Sequence, residues 1–168
     1  MVNTMIERST IYVNGQWIPS AGTEVLTVTN PVTEQAIATV PRGTSEDVDR
    51  AAKAAAAAFP LWSQTTVEER VSMFKKLARL TEARAEELTK VMVSELGYPA
   101  SQSKPSQTDG AVEELDLMAE FLGEIKWIEQ AGTAKVRKEP TGVVGAITAW
   151  NGPLRSVISK AGAAIAAG

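Results

Sequence analysis

An unbroken apolar run near the C-terminal end is followed at once by a turn and a helix signal, and this order restricts the possible folds to a few. The run covers residues 143–147, VVGAI, and Pro153 opens the next apolar-periodic segment. A run of this kind is typical of a parallel strand buried on both faces, and proline suits the first turn of a helix. The sequence therefore predicts a strand, a tight turn and a helix, which is how an open α/β sheet begins.

The turn between this strand and this helix is the candidate site. It contains Thr148, Ala149, Trp150 and Asn151. Ligands of open α/β sheets bind outside the carboxyl ends of the strands, and the turn occupies that place. An asparagine there can aim an amide N–H at an oxygen beyond the strand end, which is an oxyanion-hole arrangement. The alternative is that Asn151 serves only as a helix cap or turn residue.

Two strand pairs are predicted near the N-terminus. Asn14-Gly15 is a two-residue hairpin signal, because both central positions of such a turn need positive φ. Asn30-Pro31 is typical of a turn between the second pair. The predicted strands are residues 11–13, 16–18, 25–28 and 36–40.

Residues 44–130 are predicted to be helical. Thr44 with Asp47, and Thr66 with Glu69, have the three-residue spacing of a capping box. The alanine-rich residues 47–58 predict the first helix, since alanine is the best helix former.

Several breaks are expected in this helical region. Pro60 should end the first helix, and Gly97 should end the apolar stripe that follows, after an interruption near Thr81. The Ser- and Gln-rich residues 100–110 are typical of a loop. The last apolar face should continue to a break at Ala131-Gly132 and contains Val112, Leu115, Met118, Phe121, Leu122, Ile125 and Ile128.

Two further elements are predicted after this break. Residues 135–138 alternate in polarity and suggest an exposed strand. The helix that Pro153 opens should turn an apolar face inward, formed by Leu154, Val157, Ile158, Ala161 and Ile165.

Composition excludes several classes of function. The net charge is −3 and basic residues are scattered, which argues against nucleic-acid binding. No apolar run reaches about 18 residues, so no membrane span is predicted, and without a secretory signal pattern the expected location is cytoplasmic. Because the chain has no Cys and no His, we predict no thiolate or imidazole metal site and no Ser-His-Asp triad. Ser101 and Lys104 match a Ser-x-x-Lys hydrolase motif, but Ser-Asp-Asn and Lys-Thr-Gly are both missing.

Five strings in order resemble the NAD(P)-dependent aldehyde dehydrogenase superfamily. EPTGVVGAITAWNGPL, residues 139–154, followed by KAGAAIAAG, residues 160–168, carries most of the likeness. YVNGQWI resembles the family's opening hairpin, and SELGYP resembles a helix end. Residues 28–78, VTNPVTEQAIATVPRGTSEDVDRAAKAAAAAFPLWSQTTVEERVSMFKKLA, resemble its Asn-Pro turn, strand and first two helices. The likeness covers nearly all of the chain from Tyr12 onward.

The resemblance implies a fold class and a domain assignment. It implies an α/β fold, the N-terminal part of the aldehyde dehydrogenase cofactor-binding domain. That part would comprise β-hairpins, a helical layer and the first strand–helix unit of a parallel Rossmann-like sheet. Residues 1–122 and 141–168 would belong to the cofactor-binding domain, and residues 123–140 would begin the oligomerisation strand segment. The catalytic domain would be absent.

The resemblance also implies roles for the turn. Asn151 would contribute its amide to the oxyanion hole, and Ile147, Thr148, Ala149 and Trp150 would lie against the nicotinamide half of the cofactor. Ala149 stands where the family usually has Pro, and Gly152 stands where it usually has a bulky residue. Both departures loosen the turn.

A weaker likeness concerns a monovalent-cation site of some relatives. It would involve Glu95 and the backbone near residues 28–29. The alternative is a solvated helix end, and we predict no metal.

The implied reaction is oxidation of a small-molecule aldehyde to a carboxylic acid with NAD or NADP through a Cys thiohemiacetal. The family's Cys nucleophile, Glu base, cofactor-binding Lys and Gly-rich turn come later in the family order than the residues of this chain. We therefore expect this chain to be the N-terminal portion of an enzyme, inactive alone and a homo-oligomer when intact. The alternative is a non-catalytic truncated fragment with at most a structural or assembly role.

Overall fold

The structure is a computed structural model that describes residues 5–168. The N-terminal part carries five strands: β1 (Ile6–Glu7), β2 (Thr10–Val13), β3 (Gln16–Pro19), β4 (Val25–Thr29) and β5 (Ala36–Pro41). Helices α1 (Ser45–Trp62), α2 (Val67–Ala83), α3 (Ala85–Leu96), α4 (Ala100–Ser103) and α5 (Gly110–Glu124) follow. The remaining elements are β6 (Ile128–Ala131), β7 (Ala134–Arg137), α6 (Pro153–Val157) and α7 (Ala163–Ala167).

Both predicted strand pairs are confirmed. Strands β2 and β3 form an antiparallel hairpin, and Asn14 and Gly15 take positive φ values of 51° and 75° in its turn. Strand β5 pairs antiparallel with β4 and parallel with β1. The parallel pair makes this sheet mixed, with the order β1-β5-β4.

Both predicted capping boxes are confirmed. Thr44 and Asp47 exchange side-chain to backbone hydrogen bonds at the start of α1, and Thr66 and Glu69 do the same at the start of α2. The prediction that Pro60 ends α1 is wrong, because the helix continues to Trp62. Pro60 lies in the last turn, where its missing N–H removes only one backbone bond.

Asp47 also ties the segment before α1 to the helix start. Its carboxylate accepts hydrogen bonds from Ser20 Oγ at 2.6 Å, from the Ala21 N–H at 2.9 Å and from the Thr44 N–H at 3.0 Å. These donors, with Ser20 the strongest, hold the pKa of Asp47 well below its usual range. A carboxylate in the first turn is further favoured by the helix dipole.

Residues 100–110 are helical, so the predicted loop is wrong. α4 runs directly into a π-helical turn, Lys104–Asp109, and then into α5. Ser103, Gln107 and Thr108 are buried there, and Thr108 Oγ1 lies 3.1 Å from Thr89 Oγ1 on α3. Tertiary packing with polar partners overrides the weak helix propensity of Ser and Thr.

The hydrophobic core lies between α2, α5 and the helical stretch of residues 153–167. Phe74, Leu115 and Leu122 are its largest fully buried apolar side chains. Gly162 allows close approach, since a Cβ there would lie 2.9 Å from Met118 Sδ. The core therefore packs the helical stretch of residues 153–167 against α2 and α5.

The inner face of residues 153–167 differs in part from the prediction. Ile158, Gly162 and Ala166 are buried, whereas Val157 and Ile165 are about half exposed. A π-helical turn, Ile158–Gly162, interrupts the α-helical geometry. Because its hydrogen bonds span five residues, it displaces the buried stripe from its ordinary α-helical course.

Arg70 joins α2 to the end of α7. Its guanidinium is buried and donates to the carbonyls of Ala166 at 3.1 Å and Thr65 at 2.9 Å. It also lies 5.7 Å from the ring centroid of Trp127. A cation at a helix C-terminus complements the partial negative charge of the last carbonyls.

Two predictions about residues 125–147 are wrong. α5 ends at Glu124, and Gly132 instead sits in the turn of the exposed β6–β7 hairpin with φ of 62°. Residues 143–147 form no strand and are exposed in the part of the chain that the structure describes. A parallel strand needs neighbours to accept its backbone bonds, and no described segment pairs with this one.

Candidate functional site

The candidate residues lie together on an exposed segment that leads into α6. Ile147 and Trp150 are 90% and 81% exposed, and Thr148, Ala149 and Asn151 are exposed as well. The segment has no regular secondary structure until the turn at Trp150. The chain therefore presents these side chains outward from the helical core.

Asn151 is not the cap of the following helix. The N-cap residue of α6 is Gly152, whose carbonyl accepts a bond from the Ser156 N–H at 2.8 Å, and no side chain caps it. Within residues 5–168, no hydrogen bond to the Asn151 side chain is formed. The helix-cap alternative is therefore wrong, whereas Asn151 does lie in the turn that precedes α6, as the turn-residue alternative expects.

The Asn151 turn packs against the π-helical turn that precedes α5. A Cβ placed on Gly152 would lie 3.7 Å from Gln107 Oε1, and a Cβ placed on Gly110 would lie 3.6 Å from the Arg155 side chain. Arg155 Nε also approaches Glu114 Oε2 at 3.5 Å. The Gln107 side chain therefore lies over Gly152, and the Arg155 side chain lies over Gly110.

Gln107 is a site-adjacent residue that sequence reasoning missed. It is 7% exposed, and its Oε1 has no hydrogen-bond partner among the described residues. The loop prediction for residues 100–110 concealed it. The four-residue spacing of Ser103 and Gln107 is the one signal that could have indicated a shared buried helical face.

The phenol of Tyr98 lies beside the π-helical turn, Lys104–Asp109. Contacts from Ser106 and then Gln107 lower the pKa of Tyr98, because hydrogen-bond donors favour the phenolate form. Tyr98 follows Gly97, which ends α3 with φ of 65° as predicted. The surroundings of Gly152 are thus polar on the side of residues 98–107.

The weaker cation-site likeness gains no support from clustering of acidic groups. Desolvation raises the pKa of Glu95, although the residue is exposed. No three acidic side chains gather as a metal would require in the described ranges. Nor do residues 5–168 include a helix of the length and apolarity that a membrane crossing demands.

An apolar groove borders the segment before the turn. Its volume is about 450 Å³, and its walls include Ala58, Phe59 and Trp62 of α1, Val143 and Val144 of the exposed segment, and Ile165. Trp62 Nε1 donates to the Ile165 carbonyl at 3.1 Å across one end of it. The segment that leads to Asn151 therefore rests with one side against a largely apolar surface.

Comparison with known proteins identifies the family. The model of the aldehyde dehydrogenase family matches residues 17–168. A 3-succinoylsemialdehyde-pyridine dehydrogenase of Pseudomonas sp is 35% identical over 158 residues, which cover 94% of this chain and 33% of that protein. A putative aldehyde dehydrogenase of Staphylococcus saprophyticus is 33% identical over 94% of this chain and 33% of its own length. The chain thus spans about a third of the length of these curated relatives.

Solved structures agree in fold. Aldehyde dehydrogenase C of Pseudomonas syringae, a mutant in complex with NAD+ and octanal, superposes with a TM-score of 0.93 at 32% identity, over 99% of this chain and 35% of that one. A Mycobacterium tuberculosis aldehyde dehydrogenase complexed with NAD+ superposes with a TM-score of 0.92 at 30% identity, over 98% of this chain and 35% of that one. The protein belongs to the aldehyde dehydrogenase family, and this chain has the α/β fold of the N-terminal portion of that family's cofactor-binding domain.

Proposed function

We propose that the protein containing this chain oxidises an aldehyde to a carboxylic acid with NAD or NADP, and that Asn151 is a catalytic residue. The observation that carries the proposal is the state of Asn151 inside the family-matched segment. Its side chain is exposed and neither caps α6 nor bonds to any other described residue. An amide held outside the fold's own hydrogen bonds is free to serve a reacting oxygen.

The chemistry of this role follows from charge. When a nucleophile attacks an aldehyde, the carbonyl oxygen gains negative charge. An aimed amide N–H stabilises that charge more than it stabilises the neutral carbonyl, so it lowers the barrier. These 168 residues include no Cys, so the nucleophile of the proposed thiohemiacetal step would come from another part of the protein.

The residues before Asn151 suit the nicotinamide end of a cofactor. Ile147 and Trp150 offer exposed apolar surface for a flat ring, and Thr148 adds a hydroxyl. We assign cofactor contact to Ile147, Thr148, Ala149 and Trp150. When bound, the cofactor accepts a hydride from the substrate carbon. NAD is bound by two solved relatives, and for this protein both NAD and NADP are retained.

We also propose the domain roles and the assembly. Residues 1–122 and 141–168 would belong to the cofactor-binding domain, and residues 123–140 would begin the oligomerisation segment. The β6–β7 hairpin supports the second assignment, because Ile128 and Val136 on it are 63% and 50% exposed. An exposed strand with apolar side chains is a ready surface for another chain. A cytoplasmic homo-oligomer acting on a small-molecule aldehyde is the corresponding expectation.

Asn151 variants of the full-length protein test the proposal. Asn151→Ala should lower turnover by roughly a hundred- to thousand-fold, the usual effect of losing one oxyanion donor, with cofactor affinity little changed. Asn151→Asp should be at least as damaging, because a carboxylate repels the developing oxyanion. Steady-state kinetics and cofactor titration separate the two effects, with Gln102→Ala as an exposed-amide control. Turnover of Asn151→Asp within a few-fold of the unaltered protein, with an intact circular dichroism spectrum, contradicts the role.

The 168-residue chain by itself should oxidise no aldehyde. It contains neither Cys nor His, so it offers no thiol nucleophile and no imidazole base to accompany Asn151. Production of NADH in proportion to the amount of this chain, after mass spectrometry excludes contaminants, would refute this. If the full-length protein is also inactive with NAD and NADP across aldehyde classes, the non-catalytic alternative replaces the proposal.

A further inference from the structure

The oxygen of a buried amide faces the candidate catalytic turn without a partner. Gln107 is 7% exposed within the π-helical turn that precedes α5, and its Oε1 accepts no hydrogen bond from the described residues. Buried polar atoms without partners are uncommon in native proteins and costly to stability. Such an acceptor needs a donor.

Unused donors lie on the other side of the contact. A Cβ on Gly152 would be only 3.7 Å from Gln107 Oε1, so this atom sits at the start of α6. The first N–H groups of a helix have no acceptor within it, and no side chain caps this one. Trp150 and Asn151 lie in a hydrogen-bonded turn, and in the described chain no backbone acceptor is found for the Asn151 N–H.

We propose that Gln107 is a positioning residue for Asn151. In the working enzyme its amide oxygen accepts a hydrogen bond from a backbone N–H of the Asn151-Gly152 turn and so fixes the direction of the Asn151 side chain. This inference rests on the proposed function. It accounts for how a turn that contains the small residues Ala149 and Gly152 holds a defined geometry, since backbone freedom at these positions is otherwise large.

The small residue at position 152 is part of the same arrangement. A Cβ there would touch both Gln107 Oε1 at 3.7 Å and Gln107 Nε2 at 3.9 Å, which are ordinary contacts. A longer side chain that grew from this Cβ toward the amide would separate it from the turn. Gly152 thus leaves no side chain between the buried amide and the turn.

The first test compares two substitutions at Gln107 in the full-length protein. Gln107→Leu removes the acceptor and should lower kcat roughly tenfold, the effect of one lost hydrogen bond that is made fully in the transition state. Gln107→Glu keeps an acceptor oxygen at a helix N-terminus, where negative charge is tolerated, and should stay within a few-fold of the unaltered enzyme. Gln102→Leu, which changes an exposed amide five residues earlier, is the matched control. A loss in Gln107→Glu equal to that in Gln107→Leu overturns the proposal.

A double-mutant cycle separates positioning from general structural support. If Gln107 acts through Asn151, Gln107→Leu should cost much less in the Asn151→Ala background than in the unaltered one. Additive losses overturn the inference. If Asn151→Ala alone leaves turnover unchanged, the proposed function fails instead, so the two failures are distinguishable.

A measurement on the unaltered protein covers the case in which Gln107→Leu does not fold. The backbone amide of Asn151, which has no acceptor in the backbone, should exchange its hydrogen slowly in the full-length protein, because it donates to Gln107. Slow exchange at Asn151 supports the proposal, and unprotected exchange there overturns it.

Discussion

The helical core and residues 138–152 both carry apolar side chains, but only the core buries them. Leu115 and Leu122 of α5 are almost fully buried, whereas Val144 and Ile147 are 54% and 90% exposed. A helix makes its backbone hydrogen bonds within itself, so α5 needed only a packing partner for one face. A parallel strand needs neighbours on both edges and cover on both faces. An apolar run therefore predicts burial only where its backbone hydrogen-bond partners are also present.

The two regions should differ most in the rate at which their backbone amides exchange hydrogen, with the core exchanging more slowly. No backbone hydrogen bond of residues 143–147 is formed within the described chain, whereas α5 is a regular helix in the core. In this chain, amides near Leu115 should exchange roughly a thousandfold or more slowly than those of residues 143–147. Hydrogen exchange followed by mass spectrometry measures this. Equal protection of both regions would break the comparison.

Matched truncations give the next largest effect. Leu115→Ala should lower the free energy of unfolding by about 2–5 kcal/mol, because it removes fully buried atoms and leaves a cavity. Ile147→Ala should change it by less than about 0.5 kcal/mol, as expected for an exposed position. Urea unfolding followed by circular dichroism compares the two in the same chain. A loss at Ile147 comparable with that at Leu115 would mean that residues 143–147 are buried in solution.

The last prediction has a smaller effect and concerns Asp47, which caps the start of α1. The start of α6, by contrast, has no side-chain cap. The pKa of Asp47 is lower in the folded chain than its usual value near 3.9. Its stabilising contribution is therefore complete above about pH 4 and is lost as the pH falls from there toward the folded pKa. Asp47→Asn should reduce stability modestly at neutral pH and flatten the loss of stability below about pH 4. Thermal unfolding across pH 3–7 measures both.

If the stability of Asp47→Asn falls below about pH 4 as steeply as that of the unaltered chain, other carboxylates control the acid sensitivity. Asp49→Asn is the matched control, since Asp49 lies on the same helix and pairs with Lys53 at the surface. Its removal should leave the pH dependence nearly unaltered, because exposed ion pairs contribute little.

Local sequence signals predicted much of the N-terminal fold. The Asn14-Gly15 turn, the two capping boxes and the Gly97 helix end were predicted correctly, because a few neighbouring residues satisfy the hydrogen bonds involved. The same reasoning failed for residues 100–110. There the deciding partners, such as Thr89, lie on another helix, and no local pattern reveals them.

The candidate site divides in the same way. The family likeness, Asn151 and the four residues before it could be identified from the sequence, because one short segment contains them all in order. The N-cap position of Gly152 and the contact of the buried Gln107 amide with that turn became evident only in the folded chain. The physical reason is distance along the chain. Covalent order sets which residues follow one another, but packing of the Lys104–Asp109 turn against α6 sets which side chains meet.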